Sequence, residues 1–412
     1  LLGRRVGGRT TAIWSVVLTA ISPYMVRYST EARMYALVMV LVLAGAVLLL
    51  DALDRPTTPR LVGIAAVAAA LVYTQYWAFY LLAALVVVLG LRWWREADQR
   101  PTVTRIIVAL AAGCATFAAW APAFLDQLAH TGTPWSIPAR PTQVVSDVFA
   151  DLGGGGLVTF AEGQLYGMLA FALVALGVLT VRADRDEEAT LTAAGDLVAR
   201  ELAAVAFGTL AIGAVVGFLT GAAFNSRYGS TVVPLLLVLA ALGLSRLPRG
   251  WPVAGAALGL LVLGPVASAR VVRLDRTENG DLAALIAERA APGDVVVACP
   301  DQLGVSLERA LADTDAGLEV LPYPMLDSDP RFVDWRDYAE RNDAVDPAAV
   351  ARDASSRGTG ALWLVHNFDY RTFEGDCEQV VATLTELRGQ PEVVRQAPDE
   401  RAFEPGDLLR FG

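Results

Sequence analysis

Nine apolar runs before residue 270 leave this chain few choices of fold. They lie at roughly 11–24, 34–53, 61–74, 76–92, 106–125, 163–181, 201–222, 229–246 and 251–269. Runs approaching 18 or more apolar residues read as bilayer-crossing helices, because a helix satisfies its own backbone where no water is present. The chain is 55% hydrophobic over 412 residues, against roughly 45–50% for soluble domains, and the excess is confined to this part. The stretch 61–92 is ambiguous. As one helix it would measure about 48 Å, against a hydrocarbon core of about 30 Å. Arg55 and Arg60 flank one end and Arg92 and Arg95 the other. A tight helical hairpin with Tyr73 to Trp77 at its tip brings all four Arg to one side.

With that hairpin the charges follow the positive-inside rule. Arg4/Arg5/Arg9, Arg55/Arg60, Arg92/Arg95/Arg100/Arg105, Arg182/Arg185/Arg200 and Arg246/Arg249 fall on one side, read as cytoplasmic. The other side receives 22–33, the tip near 75, the loop 126–162, 223–228 and everything after 270. Its exceptions are Arg27, Arg33, Arg140 and Arg227.

The last 143 residues differ in kind. They carry 15 Arg against 28 Asp and Glu, about −13, while the chain as a whole is −10. The acidity therefore belongs to the tail, and no basic surface suggests a nucleic-acid partner. Asp281 to Ala290 reads as a helix, Asp294 to Cys299 as a buried strand, Leu303 to Ala312 as a helix and Ala361 to His366 as a second strand. A further helix opens at Asp376-Cys377. This alternation predicts a small α/β domain, long enough to bury its own core. The fold class expected is thus a polytopic α-helical membrane protein of about nine spans, residues 1–269, with a C-terminal extracytoplasmic α/β domain, residues 270–412. Cys114 reads as a buried small residue, and Cys299 and Cys377, outside the membrane, as a candidate disulfide or as two unrelated thiols.

Three groups of polar residues at the outer ends of the spans could carry chemistry. Arg27, Glu31 and Arg33 sit among Tyr24, Tyr28 and Tyr35. Charges at that depth either line a cavity or pair locally, and residues 27 and 31 share a helix face. Arg227, beside Tyr228, stands in a very short outer loop and offers a planar fork of donors suited to a phosphate. The plainer reading of both groups is interfacial anchoring. At the hairpin tip, Gln75 and Tyr76 with Trp77 either flank a lipid or sugar or simply form an aromatic belt. The loop 126–162 holds Pro134, Trp135, Pro138, Pro141 and Gly153 to Gly156. No Gly-Lys-Ser/Thr follows the glycines, so a phosphate loop is rejected and a flexible loop expected. Only His130 and His366 exist, and no metal-ligand spacing appears; a divalent cation held by carboxylates stays open. Asp301 follows a predicted strand, where catalytic residues often stand, but is most simply one of many solvated acids.

Together the segments SPYMVRYSTEARMYAL (22–37), FNSRYGSTVVPLLLVLAALGL (224–244) and YTQYWAFYLLA (73–83) resemble the GT-C superfamily of integral-membrane glycosyltransferases. They are most similar to its protein mannosyltransferase-like group, which includes the bacterial lipid A aminoarabinose transferases. The third segment has Gln75 where that group often has His. The resemblance covers roughly residues 1–250. The tail, with CPDQLG (299–304) and VDWRDYAERN (333–342), resembles an extension of actinobacterial members. The resemblance implies a bacterial plasma-membrane enzyme that takes a polyprenyl-phosphate sugar on the outer face. An extracytoplasmic acceptor hydroxyl attacks the anomeric carbon, and the lipid phosphate leaves, usually with inversion. Such a step needs a carboxylate base and cations for the departing phosphate. Arg227, then Arg27 or Arg33, are the phosphate candidates, and Glu31 a substitute base or an orienting group. In the family the catalytic acid lies in the first large outer loop, which would precede Leu1; two N-terminal spans are expected to be missing. A transporter or flippase of a lipid-linked sugar and a non-catalytic envelope-binding protein are the alternatives, though no internal repeat supports transport.

Overall fold

Proline and glycine decide where the apolar runs break into helices. The computed structural model describes residues 1–132, 140–154, 161–182, 190–192, 197–397 and 402–412. Helix α1 (Leu2–Ile21) is bent at Gly7 and Gly8. The expected span 11–24 ends at Ser22, whose Oγ accepts from the Met25 amide at 3.5 Å and so caps α2 (Pro23–Thr30). Pro23 occupies the first turn, where a missing N–H costs nothing. Next come α3 (Tyr35–Asp54), α4 (Thr58–Thr74) and α5 (Ala78–Arg95). The stretch 61–92 is two helices, with Gln75 to Trp77 between them. Helix α6 (Arg100–Ala115) stops before the expected residue 125, and Cys114 near its end is only half-buried. A 3-10 turn, Thr116–Ala119, intervenes and α7 (Ala121–His130) starts afresh, because Pro122 cannot continue the preceding hydrogen-bond ladder.

Part of the expected flexible loop is helical. Helix α8 (Pro141–Leu152) forms there, with Val144, Val148, Phe149 and Leu152 buried at helical spacing. Pro134, Trp135, Pro138, Gly155 and Gly156 lie outside the described residues. Helix α9 (Ala161–Val178) follows, then strands β1 (Thr180–Arg182) and β2 (Thr190–Thr192), and helix α10 (Leu197–Thr220). A 3-10 turn, Ser226–Thr231, leads into α11 (Val233–Arg246), later in start than the expected 229, with Pro234 in its first turn. Helix α12 (Trp251–Arg273) closes the series. Among the described residues six helical stretches are long and apolar enough to cross a membrane, and α4 and α11 are shorter apolar helices.

Helix α11 is buried all round, from Val233 to Leu244. Its approach to α9 is set by two glycines. A Cβ on Gly243 would lie 1.9 Å from the Leu173 carbonyl oxygen, and one on Gly177 2.2 Å from that of Leu239. Small residues let helices in lipid pack backbone to backbone, and here nothing larger fits. Polar contacts join helix ends in sets. Arg5 pairs with Asp54 and, at 3.3 Å, with Asp51, linking the start of α1 to the end of α3. Arg92 pairs with Glu201 at 3.0 Å, linking α5 to α10. Arg246 donates to the Gly177 carbonyl at 2.7 Å.

The described chain forms two units: Leu1–Ala123 with Pro138–Arg273, and Phe124–Ile137 with Leu274–Gly412. The second unit runs β3 (Asp275–Thr277), α13 (Asn279–Arg289), β4 (Val295–Cys299), α14 (Asp301–Ala312), β5 (Glu319–Pro322), α15 (Tyr338–Asp343) and α16 (Pro347–Arg357). It continues through β6 (Leu362–His366), α17 (Asp376–Arg388), β7 (Glu392–Arg395), β8 (Ala402–Glu404) and β9 (Asp407–Phe411). Five strands form one sheet in the order β5-β4-β6-β9-β7. The first three are parallel, and β9 is antiparallel to both β6 and β7. Every residue of β4 and β6 is buried, as expected of central strands covered on both faces. Asp294 is satisfied there by the Trp363 indole N–H at 2.9 Å and by the amides of Ala361 and Ala291 at 2.7 and 3.1 Å. Cys299 and Cys377 are joined by a disulfide. His130 and Asp126 of the 124–137 segment meet Asp337 and Arg336, each at 2.8 Å.

Candidate functional site

The site is built at one end of the helical unit, where α2, α8 and the turn 226–231 meet around a carboxylate. Asp151 is fully buried near the C-terminus of α8. Its Oδ2 accepts from the Tyr28 hydroxyl at 3.0 Å and its Oδ1 from Arg27 Nη1 at 3.3 Å. The Ser226 side chain also favours its charged form. Burial pushes the carboxyl up to about 6, against the pull of Arg27, Ser226 and Tyr28. Burial also raises the Tyr28 hydroxyl, and the neighbouring Asp151 charge adds to the effect.

Glycine makes this placement of Asp151 feasible. A Cβ on Gly153 would lie 1.7 Å from the Gly163 carbonyl oxygen. The end of α8 is therefore pressed against the start of α9, and Asp151 is turned into the bundle rather than toward solvent.

Tyr24 ties α2 to the Arg227 turn. Its hydroxyl donates to the Ser226 carbonyl at 3.0 Å and lies 3.3 Å from that of Arg227. The Arg227 amide donates to Asn225 Oδ1 at 3.2 Å. Both sides of the Arg227 backbone are thus held, and its half-buried guanidinium lies 5.7 Å from the Tyr228 ring centre. Tyr24, Tyr28 and Tyr35 are buried and in ring contact, at 4.4 and 5.3 Å between centres. Arg27 lies over the Tyr28 ring at 5.0 Å.

The hairpin tip reaches the same turn. Gln75 is buried, and its Oε1 accepts from the Ser230 hydroxyl at 3.1 Å. Trp77 stacks on Tyr228, centres 5.5 Å apart and planes 17° from parallel. Tyr76 instead accepts through its hydroxyl from the Trp120 indole N–H at 3.2 Å and packs edge-on to Phe117. Glu31 and Arg33 form a pair at 3.8 Å, with the Arg33 side chain 45% exposed. The structure therefore brings together Arg27, Tyr28, Tyr35, Arg227, Tyr228 and Gln75. Glu31 and Arg33 pair with each other just beyond α2.

Sequence reasoning missed Asp151, Ser226 and Ser230. Asp151 did leave a signal: it shares the apolar face of α8 with Val144 and Val148, where a carboxylate is out of place. No group of three or more His, Cys, Asp or Glu that could hold a metal occurs among the described residues. In the second unit, Asp301 is not a solvated acid. It accepts from the Tyr338 hydroxyl, and burial pushes it up to about 6.

No protein-family model matches the chain, and no curated protein matches it. Two solved structures do: ArnT from Cupriavidus metallidurans in the apo state, and the same protein bound to undecaprenyl phosphate. Each superposes with a TM-score of 0.53 over 99% of this chain and 80% of that one. This chain has the fold of ArnT. Sequence identity is 12% and 13%, so the likeness is one of fold, and any chemistry has to be argued from this chain's own residues.

Proposed function

We propose that this chain is a membrane glycosyltransferase that moves a sugar, mannose or a similar one, from a polyprenyl-phosphate donor to an extracytoplasmic glycan, lipid or protein acceptor. The observation that carries the reading is the Asp151 network. Asp151 holds Arg27 and Tyr28 of α2, and Tyr24 of the same helix ties it to the turn bearing Arg227, so that both arginines stand on elements fixed to one another. Arginines fixed at a partly buried site stabilise the charge that develops on a departing phosphate. Asp151 is tethered to Arg27 and covered by Tyr28. It is a positioning residue, holding the Arg27 fork in one orientation. Gln75 and the Trp77–Tyr228 stack shape the approach for the lipid or its sugar, and Glu31 orients Arg33. One of the two ArnT structures holds undecaprenyl phosphate, the kind of carrier lipid that the proposed donor leaves behind.

On the same reading the chain lies in a bacterial plasma membrane with residues 270–412 outside. The polar helix-end contacts support it. Arg5 with Asp51 and Asp54, Arg92 with Glu201, and Arg246 with Gly177 all lie at ends assigned to the cytoplasm by charge. The Asp151 cluster lies at the opposite helix ends.

The test is transfer in proteoliposomes from radiolabelled polyprenyl-phosphate mannose. Release of polyprenyl phosphate that depends on an added acceptor, and falls at least about a hundredfold in Arg227→Ala, is the expected result. Label that crosses the bilayer without being consumed would replace this reading with transport.

A further inference from the structure

The second unit carries a cavity of its own. It has a volume of about 260 Å³ and opens where β6 ends and β9 begins, lined by His366, Asn367, Phe368, Asp369, Pro405 and Asp407 among others. Its place in the sheet is informative. From β4 the chain steps to β5 on one side, then returns across β4 to β6 on the other. The strand order therefore reverses between β4 and β6, while the cavity lies on the β9 side of β6; what it shares with the ligand sites of open α/β sheets is its place outside the carboxyl end of a strand.

The lining narrows the ligand. Among the described residues it contains no Arg, while Asp369 and Asp407 are both acids, so an anion is disfavoured. Burial holds His366 below its ordinary range and hence uncharged near neutral pH. Asn367 is committed to shaping the wall: its side-chain amide donates to the Pro405 carbonyl at 2.8 Å and its oxygen accepts from the Asp369 amide at 2.7 Å. One oxygen of Asp407 accepts from the Ala397 amide at 2.6 Å, which fixes that carboxylate and leaves its second oxygen for a ligand. The Asp369 carboxylate has no hydrogen-bond or ion-pair partner among the described residues. Phe368 stacks on the buried His366, centres 4.4 Å apart and planes 26° from parallel. Phe368 is nevertheless 40% exposed, which leaves a supported aromatic face at the mouth of a small polar cavity.

An aromatic face beside carboxylates matches a neutral sugar. The ring attracts the slightly positive C–H face of a pyranose or furanose. Carboxylates accept from adjacent hydroxyls in charge-assisted bonds. The volume is just under the roughly 300–1,000 Å³ of drug-sized pockets, which suits a single sugar residue. We infer that the cavity at the carboxyl end of β6 is a binding site for one neutral sugar residue, stacked on Phe368 and hydrogen-bonded to Asp369 and Asp407. The site belongs to the second unit, the Asp151 cluster to the first, and the inference does not rest on the transferase reading.

The test is saturation-transfer difference NMR on the full chain in nanodiscs. The probes are methyl α-mannoside and methyl α-arabinofuranoside, with mannose 6-phosphate as the charged control. A neutral glycoside is expected to bind with a Kd on the order of 1 mM, at least about tenfold more tightly than the phosphorylated sugar. Phe368→Ala and Asp369→Asn, both at exposed positions, are each expected to weaken it about tenfold. Arg227→Ala is expected to leave it unchanged, so failure of the transferase reading would not remove the signal. Absence of binding by either glycoside, binding unaffected by both variants, or equal binding of mannose 6-phosphate would overturn the inference.

Discussion

Replacing Asp151 with Asn should stabilise the protein at neutral pH while removing its activity. Burial carries this carboxyl up to about 6 in the folded chain even with Arg27 beside it. A buried acid with a raised pKa holds its proton more tightly folded than unfolded. Stability is therefore greatest below the ordinary carboxylate pKa near 4, falls as pH rises to about 6, and stays reduced above that. The whole effect is about 3 kcal/mol. Asn copies the protonated form. Its oxygen can face Arg27, and the Tyr28 hydroxyl can rotate to accept from its amide. Asp151→Asn is therefore expected to equal the parent at pH 4 and to exceed it by up to about 3 kcal/mol at pH 7.5. Unfolding by SDS in mixed micelles, measured for both proteins across that range, reads the difference directly. Transfer activity should fall about a hundredfold, because the Arg27 fork loses its anionic anchor. A variant less stable than the parent at pH 7.5, or a difference that does not change with pH, would refute the argument that Asp151 is kept at a cost to stability.

Other consequences follow from single contacts. Gly153→Ala places a Cβ on the Gly163 carbonyl oxygen and should cost about 2 kcal/mol by forcing α8 from α9, read as a lower SDS midpoint together with reduced transfer. Cys299→Ser opens a bridge spanning 78 residues and should cost the second unit about 4 kcal/mol; protease sensitivity of the tail under reducing and oxidising conditions checks it. Burial opposes ionisation of Asp294, but bonds from Trp363, Ala291 and Ala361 hold its carboxyl below the usual range. Its contribution is thus present above about pH 4 and lost on acidification through the depressed value. Asp294→Asn should flatten that part of the tail's acid unfolding curve, followed by Trp363 fluorescence.

Much of the architecture was legible because local physics decides it. The hairpin at 61–92 followed from helix length against bilayer thickness and from Arg at both ends. Strands β4 and β6 were legible as continuous apolar runs. Strand β9, DLLRF at the end of the chain, has no such run and exists through pairing with β6. The three-residue strand β8 is likewise defined by its partner β3. The helix start at Val233 and the break after Ala115 were written in Pro234 and Pro122, but a hydropathy window averages across them.

The site divided in the same way. Arg27 and Arg227 stood out because each violates a local rule of charge placement. Asp151 violates nothing locally except the apolar face of α8, and its partners are 123 and 124 residues away. What makes it a candidate is a cost that packing has to sustain. Its burial depends on the glycine contact between α8 and α9, and α9 in turn is locked to α11 through Gly177 and Gly243. A tertiary arrangement of close-packed backbones thus keeps one carboxylate dry beside Arg27. Loosening either glycine contact would let water reach Asp151, lower its pKa toward the usual range and relax the Arg27 fork. The α9–α11 packing is therefore coupled to the chemistry at the bundle end. Gly243→Ala, near the opposite ends of the helices and off the site, should reduce transfer. In that background the pH-dependent stability gained from Asp151→Asn should also shrink; a gain of undiminished size would show that the two regions are not coupled.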